Sequence, residues 1–456
     1  MPDVTASQTD DDPVSAGPGR GPGRHTPGRR LATAAMVLAA ACCFLGVVVV
    51  RHGPAGGRDT APLTAVTTAL SNGDLRVAAS IDALPNPPGY PLLAAPLVAV
   101  LRSTVGAPTW CVPEARFGAP GPGRDRAVAR AVAASVPVCG VVVAGGAPTL
   151  PPWWRSQGVL GVATWLVLAV GALSVLRAGR ADTLAREAGL LAFLAFLPAA
   201  GGAVVQLYHP QDIVSLGLGL AGLAQAIRGR WVWAGVLFGV AVLSKQFALL
   251  LLLPALVVAP GTRSRLVLGG TAAGVCAVAL APFLAVAPRA TLGNLSGFSG
   301  GGATEGQTML SLAGVHGSVA STVARDAPVL FALGVCVWFA RRHLRWAASP
   351  AAVVGLALVC TGSRLVFESV VFPYYLLSAS VLVLLVDLVA RRSPVRSLVW
   401  CAAAAAFVAL HPGERYVAAF GTLALAVSAV WLGLGEVSRL RHAGSEVEHG
   451  PAPMAG

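Results

Sequence analysis

A chain of 456 residues that is 55% hydrophobic and 12% charged, with a mean hydropathy of +0.71, carries too little polar surface to coat a water-soluble globule of its size. The formal charge of +13 does not point to nucleic acid, because the arginines gather in short clusters at the ends of apolar runs rather than in one basic patch interleaved with aromatics. Apolar runs of about 18 or more residues recur along the chain, so the expectation is an all-α, polytopic helical membrane protein.

Residues 1–30, rich in Gly, Pro, Asp and Arg, read as a disordered cytoplasmic tail. The run Leu31 to Val50 is longer than a signal peptide's apolar core and continues past Cys42 and Cys43, so it reads as a retained first span. Residues 51–157 form the main extracytoplasmic region, within which 89–101 and 131–147 are apolar enough to lie on or dip into the bilayer. Its nine arginines are compatible with that side, since long translocated loops escape the charge rule. The cluster Pro85-Asn86-Pro87-Pro88-Gly89-Tyr90-Pro91 is expected to hold an extended turn before the apolar stretch Leu92 to Leu101. Cys111 and Cys139 are a disulfide candidate in this outer region, two unpaired thiols being the alternative. Cys42, Cys276, Cys336, Cys360 and Cys401 fall inside apolar runs and read as small buried hydrophobes.

Further spans are expected at about 158–176, 188–206, 213–227, 231–244, 247–260, 266–287, 327–340, 347–361, 374–390, 397–411 and 416–435. With the first, that gives about twelve transmembrane helices, eleven to thirteen given the short ones, in a membrane domain over 31–435 followed by a cytoplasmic tail at 436–456. Alternate connections carry Arg177, Arg180 and Arg186; Arg228 and Arg230; Arg263 and Arg265; Arg341, Arg342 and Arg345; Arg391, Arg392 and Arg396; then Arg439 and Arg441. All six sets fall on one side, which places both termini in the cytoplasm of a multi-pass plasma-membrane protein.

Polar groups near span ends on the opposite side are the candidates for a site. They are Asp74 and Asp82 in the long loop; His209, Gln211 and Asp212; Lys245 and Gln246; Glu305 and Gln307; and Arg364, Glu368, Tyr374 and Tyr375. Lys245 is the only lysine and sits between two apolar halves of about 14 residues, or about 21 Å of helix each. A hairpin of two short helices would hold it near the outer surface in want of an anion, whereas on one long bent helix it would merely snorkel. Asp212 could equally be a helix cap and His209 an interfacial residue. Asp74 or Asp82 could serve as a general base, the bland alternative being a solvated loop aspartate.

Tyr208-His209-Pro210-Gln211-Asp212, then Arg228-Gly229-Arg230, then Gly235 through Ser244-Lys245-Gln246, together resemble the polytopic actinobacterial proteins of glycosyltransferase family 87. The first-loop Pro-Pro-Gly-Tyr-Pro at 87–91 and the stretch from Arg364 through Pro373-Tyr374-Tyr375-Leu376 are similar in order and spacing. The first loop departs from the family pattern, since Asp74 is followed by Leu75-Arg76-Val77-Ala78-Ala79-Ser80 and an insertion bearing Cys111 and Cys139 lies beyond. The resemblance implies a GT-C architecture and a mannosyltransferase-like enzyme that uses a polyprenyl-phosphate sugar.

Such an enzyme would move the sugar to an envelope glycolipid or glycan acceptor among the membrane lipids, with inversion at the sugar carbon. It implies Asp74 as base with Asp82 second, and Lys245, Arg364 and His209 around the donor phosphate. Asp212, Gln246, Glu305, Glu368, Tyr374 and Tyr375 are further candidates. No Gly-rich phosphate loop, metal-ligand spacing or cofactor motif is present in the sequence. The competing readings are a polytopic transporter or flippase for an envelope lipid intermediate, and a scaffold in which every such charge is structural.

Overall fold

The computed structural model describes residues 27–50, 60–80, 88–105, 112–113, 138–139, 153–205, 209–296, 308–315, 317–343, 349–368, 373–410 and 415–448. Helix α1 is Pro27–Val50, followed by α2 (Thr60–Ser71), α3 (Leu75–Ser80) and α4 (Gly89–Val105). Two short strands, β1 (Val112–Pro113) and β2 (Val138–Cys139), pair in parallel with Pro113 opposite Cys139. Then come α5 (Trp153–Ala178), α6 (Leu184–Phe196), α7 (Pro198–Val205), α8 (Pro210–Ile227), α9 (Trp231–Ser244) and α10 (Leu249–Val258). The remainder is α11 (Gly261–Val286), α12 (Pro288–Ser296), α13 (Met309–Leu312), α14 (Gly317–His343), α15 (Pro350–Phe367), α16 (Leu376–Val389), α17 (Val395–Leu410) and α18 (Arg415–Glu448).

The chain is an all-α helical membrane protein. Among the described residues six helical stretches are long and apolar enough to cross a membrane: Pro27–Val47, Val159–Ala178, Gly261–Val286, Thr322–Arg341, Pro350–Phe367 and Tyr416–Ser438. The pair α6 and α7 makes a seventh if its 47° bend belongs to one broken span. The bend has a local cause, because Pro198 has no N–H to give and pushes Leu197 to an extended ψ of 114°. Helices α9, α16 and α17 are apolar but shorter.

Helix α16 is buried over its whole length and packs on α15, while the outward faces of α11, α14 and α18 present Leu266, Val278, Leu330 and Trp431 at 66–76% exposure, a surface suited to lipid. Without a hydrophobic drive between helices in lipid, close backbone approach carries the packing. A Cβ on Gly217 of α8 would stand 2.7 Å from the Val167–Leu168 backbone of α5, and one on Gly433 of α18 would stand 2.6 Å from the Gly355 carbonyl of α15.

Several boundaries differ from expectation. Helix α1 starts at Pro27, inside the expected tail, since proline loses no bond at a first helical position and Arg29 is drawn to Asp182 at 2.7 Å. Helix α4 starts within the proline cluster, at Gly89, with Pro91 in its first turn where no N–H is needed, so the extended turn gives way to helix. Helix α18 runs on to Glu448, beyond the expected end at 435. Cys42 and Cys43 are exposed on α1, in contrast to buried Cys336, Cys360 and Cys401. Residues 1–26, 449–456 and, within the expected outer region 51–157, most of 106–152 with Cys111 lie outside the described residues.

The arginine clusters converge at one end of the bundle. Buried Glu187 accepts from Arg177 at 3.0 Å and Thr33 at 2.7 Å, with Arg29 at 3.5 Å. Arg391 Nη2 donates to the Arg180 carbonyl at 2.9 Å, and Arg228 Nη2 to the Ser174 carbonyl at 3.2 Å. Arg396 pairs with buried Asp387, and Arg392 with buried Glu436.

Candidate functional site

Helices α8, α9 and α16 each have one end at this arginine-lined face. Their other ends meet about 20–27 Å away along the helix axes, where the chain places its second polar concentration.

The path of the chain at Lys245 makes this site possible. Helix α9 ends at Ser244, Lys245 is extended at φ −159° and ψ 130°, and a single 3-10 turn over Gln246–Ala248 leads into α10. A continuous bent helix is thereby excluded, and the two halves share α8 but differ in their other main neighbours: α9 packs on α11, α10 on α14 and α15. Backbone bonds bridge the break, from Lys245 N–H to the Ala241 carbonyl at 2.9 Å and from Ala248 N–H to the Lys245 carbonyl at 3.2 Å, and Ser215 of α8 donates to the same two carbonyls at 3.0 Å and 3.2 Å.

The lysine does not snorkel. It is 7% exposed, and its Nζ lies 3.5 Å from Asp212 Oδ2 in the first turn of α8. His209 Nδ1 lies 3.5 Å from the same oxygen, and Gln211 Nε2 is 3.0 Å from that Nδ1. The His209 ring stacks on Tyr374 with centroids 4.2 Å apart, and Tyr374 meets Tyr375 edge-on at 4.7 Å. A second ion pair completes the cluster from the end of α15. Arg364 Nε pairs with Glu368 four residues on, while its guanidinium sits over Tyr375 at 4.3 Å and Phe247 at 5.2 Å.

His209, Lys245 and Arg364, expected together around a donor phosphate, and Asp212, Glu368, Tyr374 and Tyr375, expected as further candidates, form one buried constellation. Both cations keep donors in hand: among the described residues neither Lys245 Nζ nor the terminal Nη1 and Nη2 of Arg364 makes a hydrogen bond. Each cation has one ion-pair partner, Asp212 for Lys245 and Glu368 for Arg364, and the remaining N–H groups are what an anionic ligand would meet here.

The first-loop region comes up against this cluster from one side. At the start of α4, a Cβ on Gly89 would run into the Leu243–Ser244 backbone next to Lys245, so only glycine permits the approach. Gln246 turns away from the ion pairs and donates to the Leu295 carbonyl of α12 at 3.3 Å. Asp74 is exposed at the corner between α2 and α3, where Gly73 takes a φ of 77°, and α3 packs on α11 and α12. Asp82, Glu305 and Gln307 lie outside the described residues, as do Tyr208 and the first partner of the Cys111–Cys139 candidate pair.

Phe247 and Ser215 were not singled out from the sequence. Ser215 could have been, since it stands three residues after Asp212 on the same helical face. Among the described residues no group of three or more His, Cys, Asp or Glu side chains is placed to hold a metal. No protein-family model matches the chain, and neither a curated protein nor a solved structure matches it.

Proposed function

We propose that the chain is a membrane glycosyltransferase, moving a sugar, with mannose the expected one, from a polyprenyl-phosphate donor to an envelope glycolipid or glycan acceptor on the extracytoplasmic side. The observation that carries the reading is the pair Lys245 and Arg364, two buried cations with unspent N–H groups at the end of the bundle opposite the arginine clusters. By the positive-inside rule those clusters mark the cytoplasmic side, which puts the pair outside, both termini inside, and about twelve spans of a GT-C-like fold between. A lipid-linked donor presents its phosphate at that surface, and the leaving polyprenyl phosphate needs cations held ready in a place poor in water.

The base follows from stereochemistry. In an inverting displacement the incoming hydroxyl and the leaving phosphate flank the sugar carbon from opposite sides; inverting hydrolases keep their two carboxyl groups roughly 6.5–9.5 Å apart to seat the nucleophile. With Lys245 on the phosphate, Asp212 at 3.5 Å stands on the leaving-group side and is not the base. Asp74, with Asp82 second, keeps that role, on the loop segment whose continuation at Gly89 abuts the Lys245 break.

A transporter or flippase is the second reading, favoured by the two interrupted helices, at Pro198 and at Lys245. The test is transfer of radiolabelled mannose from polyprenyl-phosphate mannose to envelope lipids in membranes containing the protein, with Asp74→Asn and Lys245→Ala. Transfer lost in both variants at normal expression supports enzyme and site together. No transfer from several polyprenyl-phosphate sugars turns the reading to transport, and transfer surviving both substitutions keeps the class and discards the site.

A further inference from the structure

We propose that Gln211 and Asp212 form a hydroxyl-reading subsite, which takes hydroxyl protons of the sugar whose phosphate rests on Lys245 and Arg364; the inference rests on the glycosyltransferase reading. Gln211 is 1% exposed, and its Nε2 is committed to His209 Nδ1 at 3.0 Å. With the imidazole proton on Nε2, Nδ1 accepts from the amide and the carboxamide oxygen is the end left over. The stack of His209 on Tyr374 holds the ring, so the amide cannot swing freely. Among the described residues, Gln211 Oε1 and Asp212 Oδ2 are both buried atoms without a hydrogen-bond partner, Asp212 having His209 and Lys245 as ion-pair neighbours at 3.5 Å.

The cluster thus divides chemically into two halves. Lys245, paired with Asp212, and Arg364, paired with Glu368, form the cationic half with N–H groups beyond those pairs, and Gln211 Oε1 and Asp212 Oδ2, on adjacent residues in the first turn of α8, form the acceptor half. A bare anion satisfies the first half and is repelled by the second. A neutral polyol satisfies the second and leaves the cations with their protein partners alone. A phosphate carrying a hydroxylated ring satisfies both at once, and the contact of 3.5 Å between Lys245 and Asp212 puts the two halves within the span of one glycosyl phosphate. Sites that hydrogen-bond a substrate hydroxyl reject the analogue lacking it, because their buried acceptors are then left unpaired.

The experiment compares binding of polyprenyl phosphate and polyprenyl-phosphate mannose to the full-length protein in lipid nanodiscs. Wild type is expected to favour the mannosylated lipid by roughly tenfold or more, and Gln211→Met to bring the ratio of the two affinities close to one. Equal affinities in the wild type, meaning that water alone serves the acceptors, overturn the subsite and leave the donor class standing, as does a preference that survives Gln211→Met. Binding of neither lipid by the wild type sinks the glycosyltransferase reading itself. Should Gln211→Met bind neither lipid, a monodeoxy-mannose series on the wild type decides: at least one deoxy position must cost roughly tenfold, and a flat series overturns the proposal.

Discussion

Lys245 Nζ lies 3.5 Å from Asp212 Oδ2, although 33 positions separate them in the chain, and each is more than nine-tenths buried. An ion pair so placed is held by geometry. Its desolvation roughly offsets its attraction, but either charge left alone is expensive. Lys245→Met is therefore expected to destabilise the protein by about 3–5 kcal/mol, and Lys245→Met with Asp212→Leu to recover most of that loss while transfer stays absent. Thermal unfolding in detergent checks the pair; a single variant as stable as wild type would show that the contact carries no energy.

Arg364→Lys separates charge from shape. The ammonium can still meet Glu368, but it lacks the planar fork that stacks between Tyr375 and Phe247, an interaction worth about 1–2 kcal/mol when desolvated. Folding is expected to survive and sugar transfer to fall about tenfold. Transfer at the wild-type rate would mean that Arg364 acts only as a point charge.

At the opposite end, Glu187 holds Arg29, Arg177 and Thr33 across three helices while fully buried. Glu187→Gln keeps the shape and removes the charge. The expected loss is about 3 kcal/mol of stability with donor affinity unchanged, measured by thermal unfolding and lipid binding on the same preparation. A weakened affinity would reveal coupling between the two ends.

Gly217→Val forces a branched side chain into the α5 backbone and is expected to cost about 1–3 kcal/mol or more. Gly189→Ala, on the open face of α6 with nothing within 4 Å, is expected to stabilise by about 0.5–1 kcal/mol through helix propensity alone. Opposite signs in one unfolding series would distinguish packing glycines from incidental ones.

Much of the helix pattern was legible, because a span announces itself by composition over its own length. A helix stands at each of the eleven ranges expected after the first, and the apolar stretch 89–101, expected on or in the bilayer, is helical as well. What misled was local chemistry read too strictly. Prolines at the start of α4 sit where a helix has no use for their missing N–H, and the tail residues from Pro27 join α1 because acidic partners more than 150 positions away receive Arg29.

The sequence by itself determined the class of molecule, much of the helix pattern, the short arginine clusters at the ends of apolar runs and the short roll of polar residues near helix ends. These are properties of composition and of neighbours in the chain, and lipid enforces them residue by residue. Only the tertiary structure decided which of those residues meet. Lys245 became the partner of Asp212 because the chain is extended for one residue and α8, which carries Asp212, packs on both α9 and α10. Arg364 entered the same cluster because α15 ends where Phe247 and Tyr375 form two walls. Such contacts join residues from 33 to more than a hundred positions apart, Lys245 with Asp212 and Arg364 with Phe247, through packing of whole helices, and no periodicity along the chain records them.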